Sequence, residues 1–311
     1  MSEASGKRPN RKTRRSLARR DTQRDTAGRL HLVVREDPRT GRGGVFLETP
    51  VFKQAWQNEV TAGAANTSYS ALQGDPSVER VVALAKNLMA AMSRLSEGLL
   101  ARAPEGAVAC RAGCDHCCYQ VVGVTPPEAL AIAAELRRSL SPDALARVIV
   151  HVNEAADRAR GLDAAERFSP DHPCTFLEAG RCTIYEVRPL ACRGMNSLDA
   201  AECSDRLREP TVRAAFLATG FGGRSYLEPI RAFHAISAGM QLSLSELGHL
   251  DMRPLELTRA LSLLLTGPET LGADWLRGES PFESVLAVDR SRDQRMLEIS
   301  GSLGAPPRPE H

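Results

Sequence analysis

The chain predicts a mainly α fold: a helical domain around an irregular, cysteine-rich core with a small hairpin. Three observations predict it. Long stretches place apolar residues at threes and fours, the spacing of an amphipathic helix. Capping signatures, Ser or Thr followed by Pro, open two of these stretches. All eight cysteines fall between Cys110 and Cys203, in the one region where helical periodicity breaks down.

The order of elements follows. Residues 1–29 hold ten Lys or Arg and three Asp or Glu, a balance of +7, so the chain's net +2 leaves residues 30–311 at −5. This segment reads as a disordered basic tail able to touch nucleic acid or another polyanion weakly through its phosphates. It has no apolar stretch behind its basic head, so it is not read as a signal peptide, and the protein is expected to be cytoplasmic. "LHLVV" and "VFLET" read as short strands joined by a loose turn containing Pro38, Gly41, Gly43 and Gly44. Residues 51–74 lack a sustained period and read as a linker, so 30–74 is assigned to short strands and linker.

From Asp75 a long amphipathic helix is expected, with Pro76 in its first turn. Its stripe is Val78, Val81, Val82, Leu84, Leu88, Met89, Met92, Leu95 and Leu99. Thr125 and Glu128 form a capping-box signature with Pro126 at the first helical position. Ser141, Pro142 and Gly161 bracket a second helix, and the two read as a helical hairpin. "PCTFLEAGRCTIY" predicts a hairpin turning at Ala179 and Gly180. Further helices are expected at about 207–219, 226–246, 253–265 and 283–298, with residues 301–311 as a disordered tail. The domain reading is therefore a cysteine-cluster metal-binding domain at 75–205 and a helical region at 206–300. The apolar runs are too short for a membrane helix.

The cysteines are Cys110, Cys114, Cys117, Cys118, Cys174, Cys182, Cys192 and Cys203. A disulfide framework is disfavoured by a reducing compartment and by a chain long enough to build its own core. Simple burial explains one or two cysteines, not four within nine positions. Metal coordination explains them all, because closely spaced thiolates reach one ion. Adjacent side chains diverge, so Cys117 and Cys118 point to a polynuclear centre, two neighbouring sites, or one supporting cysteine. Cys110-x3-Cys114-x2-Cys117 has the form of a radical-SAM signature, but the alternating strands and helices of that barrel are missing. His116 and His172 lie close enough in sequence to replace a cysteine. The other histidines have no visible partner. "GRGG" near residue 41 and "GFGGRS" at 220 read as turns rather than phosphate loops.

"CRAGCDHCCYQVVGVTPPEALAI" followed by "CTFLEAGRCTIYEVRPLACRGMNSLDAAEC" resembles the cysteine-cluster family of zinc- or iron-chelating domains, the CxxCxxCC or YkgJ-type proteins. The first two cysteines here are one residue further apart than in that pattern. The resemblance implies chelation of zinc or iron by all eight cysteines. It also matches Tyr185, Arg188, Pro189 and Arg193 to fixed family positions. A 4Fe-4S cluster suits the eight-sulfur supply, and Arg188 and Arg193 are the expected cofactor-binding groups around the sulfurs. A flagellin lysine methylase is similar in its cysteine motif. Two further function classes therefore stand beside chelation: an iron–sulfur enzyme of methyl- or group-transfer type, and a zinc-stabilised interaction module. The stretch 170–203 carries few aliphatic residues and is expected to lose order without metal.

Overall fold

The computed structural model describes residues 31–36, 43–162, 164–219 and 224–287. The basic segment 1–29, most of the turn after the first strand, the core of "GFGGRS", residues 288–298 of the last expected helix and the C-terminal tail lie outside them.

Strands β1 (Leu32–Glu36) and β2 (Gly43–Leu47) pair antiparallel, with Leu32 opposite Leu47 and Val34 opposite Val45. A helix follows where a linker was expected: α1 (Ala55–Leu72). Its buried face is Thr61, Ala64, Ala65 and Ser68, too small and too polar to register as an apolar stripe. The hydroxyls of Thr61 and Ser68 return bonds to the carbonyls of Gln57 and Ala64, so they enter the core satisfied.

Helix α2 (Val78–Leu100) is the long amphipathic helix, capped by Ser77 rather than begun by Pro76, and it buries Val81, Leu84, Leu88, Met89 and Met92. After the first cysteines, β3 (Gly123–Val124) leads into α3 (Pro126–Ser139), where the capping box forms. Helix α4 (Pro142–Arg158) starts on Ser141, which accepts from the Ala144 amide at 3.3 Å. A short α5 (Ala164–Arg167) precedes a hairpin of β4 (Leu177–Glu178) and β5 (Arg181–Cys182). Ala179 and Gly180 both have positive φ, 49° and 74°, as the tight turn between right-twisted strands requires.

The remaining helices are α6 (Leu190–Gly194), α7 (Ala200–Arg208), α8 (Pro210–Thr219) and α9 (Leu227–Leu242), the last running into a π turn at Ser243–Leu247. Strand β6 (Leu255–Glu256) pairs with β3 and opens α10 (Leu257–Thr266), followed by α11 (Leu271–Leu276). Helix α10 packs against both α3 and α4, which share few contacts of their own, so the expected helical hairpin is split by a later element. Of the helix expected at 283–298, the described part is a single 3-10 turn at Glu283–Val285.

One apolar core runs from Ala64 to Val285 and includes Phe176, Ile184, Val187 and Leu190 from the cysteine-rich stretch. Helix α9 is the hub, lying against α1, α2 and α6. Its contact with α1 depends on Gly239, where a Cβ would stand 2.3 Å from the Thr61 carbonyl oxygen. Among the described residues no helix is long and apolar enough to cross a membrane.

Candidate metal centre

The eight cysteines arrive on four segments, and backbone contacts bring the segments together. Cys110 lies in irregular chain and Cys114 closes a turn, its amide bonded to the Arg111 carbonyl at 3.0 Å and Gly113 at φ 85°. Cys117 and Cys118 follow in a 3-10 turn at His116–Tyr119. The Cys174 amide donates to the Cys118 carbonyl at 2.6 Å, which joins the first and second segments next to two sulfurs. The hairpin turn closes on the same loop: a Cβ on Gly180 would lie 3.5 Å from the Gly113 carbonyl oxygen. Cys182 is therefore carried to the quartet by β5.

Cys192 sits in α6, a five-residue helix whose first amide, that of Leu190, donates to Glu128 Oε1 at 2.8 Å. Cys203 sits on α7, which packs against the 3-10 turn of Cys117 and Cys118. Cys110 is tied to the segment between α6 and α7. Its sulfur accepts from the Ser197 amide at 3.3 Å, and the Ala109 amide donates to the Ser197 carbonyl at 2.8 Å.

All eight thiols are free of disulfide bonds. They form two groups that feel each other's charge. Charge on Cys117, Cys174 and Cys192 raises Cys118, and charge on Cys117 raises Cys182. Cys110 is coupled to Cys114, Cys117 and Cys203, so Cys117 belongs to both groups. Among the described residues, no three His, Cys, Asp or Glu side chains meet closely enough around one point to hold an ion. The fold thus assembles the donors side by side without drawing the sulfurs into one coordination sphere.

Burial sets the state of most of these thiols. It pushes Cys174 up to about 11 and raises Cys192 further, with neighbouring sulfurs adding to the rise. Burial also raises Cys182, against the pull of Arg188 and Arg193, and raises Cys110, against the Ser197 hydrogen bond. Cys117 differs. The neighbouring Cys118 thiol brings it down to about 7, and the same interaction pushes Cys118 up, because Cys118 is the partner that keeps its proton. Burial thus favours the protonated thiol at Cys110, Cys174, Cys182 and Cys192.

Cations surround the sulfurs. Arg188 lies over the Tyr185 ring at 4.1 Å, and its field helps lower Cys117 and opposes the rise of Cys182 and Cys192. Its Nε is buried without a hydrogen-bond partner. Arg193 is 5% exposed, and its donors go to oxygen: Nε to the Arg188 carbonyl at 2.9 Å, Nη2 to the Glu186 carbonyl at 2.6 Å, and Nη1 to Ser93 Oγ. It therefore shapes the loop between Cys182 and Cys192, and its charge still reaches Cys182 and Cys192.

His116 stands 3.9 Å from Asp115, and the His172 carbonyl accepts from Arg167. Three contacts escaped sequence reasoning. Arg206 reaches Cys203 at 3.8 Å, from three residues along α7, a spacing that was readable. Arg167 opposes the rise of Cys174, and the Ser197 amide meets Cys110, both across distances in sequence that no motif marks.

Residues 109–209, about a third of the chain, match the CxxCxxCC family model, described as "Putative zinc- or iron-chelating domain". That stretch is similar to the CxxCxxCC family. Its bounds coincide with the segments that carry the thiols, from the residue before Cys110 to the residue after the last turn of α7. No curated protein and no solved structure matches the chain. The donor set, thiol sulfur with arginine around it, has the chemistry of a zinc or iron site rather than of magnesium or calcium, which take oxygen.

Proposed function

We propose that this protein binds zinc or iron through its CxxCxxCC domain, with iron as an iron–sulfur cluster, of 4Fe-4S type, the favoured form. The observation that carries the reading is that eight free thiols lie on four segments which are joined to one another largely by backbone contacts. Cys117, Cys118, Cys174, Cys182 and Cys192 are the main donor group, and Cys110, Cys114 and Cys203 the second. The division suits a polynuclear centre or two adjacent sites better than one tetrahedral ion, which needs four ligands.

The group, when bound, would supply either structural cross-linking or electron transfer. The residues of the chain do the rest. Arg188, with its unpartnered buried Nε, offers a hydrogen bond and positive charge to the sulfurs. Arg193 holds the carbonyls of the intervening loop, fixing the path from Cys182 to Cys192. Binding releases thiol protons, so affinity rises with pH. The basic segment 1–29 would add a weak, salt-sensitive contact with polyanions, lost on its deletion.

Anaerobic purification with measurement of metal, acid-labile sulfide and visible absorption tests the reading. Iron and sulfide with a brown colour are expected. A colourless protein with stoichiometric zinc would remove the iron version, and a protein that takes up neither metal would remove the proposal.

A further inference from the structure

We propose that Glu128 is a positioning residue for the cysteine centre: its one carboxylate fastens the start of α3 to the start of α6 and thereby sets the place of Cys192. The sequence marks Glu128 as half of a capping box, a device that normally serves a single helix. The structure gives it a second task. Oε2 accepts from the Thr125 amide at 2.9 Å and from the Thr125 hydroxyl at 2.8 Å. Oε1 turns the other way and accepts from the Leu190 amide at 2.8 Å, across 62 positions of sequence. Leu190 opens α6, and Cys192 lies two residues on.

The carboxylate is 4% exposed and has no ion-pair partner within contact among the described residues. Three hydrogen bonds and the field of Arg193 hold it there against the cost of burial. A group placed at such cost has a geometric task that a neutral side chain would not perform. Only a carboxylate can accept on both sides. Glutamine at the same position turns an NH2 toward one of the two backbone amides, so one helix start loses its acceptor.

The consequence concerns Cys192 more than the fold at large. Helix α6 has five residues and cannot hold its own position by helical hydrogen bonding. It is fixed from three sides: Leu190 in the core at 1% exposure, Ser96 Oγ on the Arg193 carbonyl at 3.1 Å, and Glu128 on its first amide. Glu128 is the contact nearest the start of the helix. Its loss lets the Pro189–Cys192 turn move relative to Cys118 and Cys174.

The test compares Glu128→Gln with Thr125→Val, which keeps the Leu190 contact but removes the Thr125 hydroxyl. The first readout is iodoacetamide labelling of the metal-free full chain, resolved by cysteine in mass spectrometry. The second is cobalt(II) affinity from its thiolate charge-transfer absorption, and this one alone rests on the metal-binding reading. In Glu128→Gln, Cys192 should label at least about fivefold faster than in the parent, while Cys110 and Cys203 change less than about twofold. Cobalt should bind about tenfold more weakly. Thr125→Val should change both readouts less than about threefold. Equal labelling of Cys192 in Glu128→Gln and the parent, or the same effect from Thr125→Val, would overturn the positioning role. A parent protein that binds no cobalt would remove the metal reading and leave the labelling result to decide Glu128.

Discussion

Arg193 is a buried cation with no carboxylate in contact among the described residues, and replacing it by Met isolates what its hydrogen bonds contribute. Arg193→Met keeps the apolar stem and removes the planar head. The Glu186 and Arg188 carbonyls then lose donors at 2.6 and 2.9 Å, and Ser93 loses its partner. A hydrogen bond to a charged group contributes about 1.5–3 kcal/mol, so the two carbonyl contacts are worth about 3–6 kcal/mol gross. Two terms reduce this. Removing the guanidinium relieves the cost of its burial, and the half-exposed loop lets water reach part of the freed oxygens. A net loss of about 2–3 kcal/mol remains, which lowers the melting midpoint by roughly 4–12 °C in a fold of this size. Calorimetry of the metal-free protein measures the midpoint, and amide exchange locates the effect, expected at Tyr185–Arg188. Arg193→Lys should recover less than half of the loss, since an ammonium cannot span the three acceptors. A midpoint within about 1 °C of the parent, with unchanged exchange in that loop, would refute the reasoning.

Three further outcomes are expected. Gly239→Ala forces a methyl against the Thr61 carbonyl and the Ala65 amide, 2.3 and 2.9 Å away, and both are backbone that cannot turn aside. It should cost about 3 kcal/mol or more by urea unfolding, the upper end of overpacking, where an ordinary exposed substitution would stay within about 0.5 kcal/mol. Glu135 is held down at about 2, chiefly by Arg138 and then by Lys86 across the α2–α3 contact, with Lys86 Nζ at 2.6 Å. A depressed carboxyl stabilises the fold above its ordinary value and loses that contribution as pH falls toward 2. Because Arg138 is largely exposed the contribution is about 1 kcal/mol, and Glu135→Gln should flatten the fall in unfolding free energy, measured by urea titration, between pH 5 and pH 2.5 by that amount. If the proposed metal is bound, treatment with a chelator should speed amide exchange around Cys117, Cys118 and Cys174–Cys182. It should spare Ile184, Val187 and Leu190, whose side chains sit in the main core. Unchanged exchange across 172–182 would show that this stretch holds without metal.

That last expectation differs from the one the composition of 170–203 invites, and the difference shows what a sequence hides. The stretch has few aliphatic residues, so it reads as dependent on metal throughout. Phe176, Ile184, Val187 and Leu190 are nevertheless 1–6% exposed. At about 1.5–3 kcal/mol for each buried side chain they supply about 6–12 kcal/mol before chain entropy is counted. The fold needed only a few residues at the right points, and no periodicity announces them. Helix α1 failed to show for a related reason. Its buried face of Thr61, Ala64, Ala65 and Ser68 matches Gly239 on α9, and an interface of small residues carries little hydrophobic contrast. By contrast, the turn at Ala179–Gly180 and the caps at Thr125 and Ser141 were legible, because local backbone geometry selects those residue types directly.

The sequence alone determined that eight thiols share one region, that helices surround it, and that a tight hairpin presents Cys182. Those are local matters, fixed by spacing, caps and turn chemistry within a few residues. Only the tertiary structure decided which thiols neighbour which. It seated the Cys174 amide on the Cys118 carbonyl, the Ser197 amide on the Cys110 sulfur and gave Glu128 a second helix to hold. Contacts between residues 56 or more positions apart depend on how whole helices pack, and packing energy is a sum over the core that no short stretch of the chain contains.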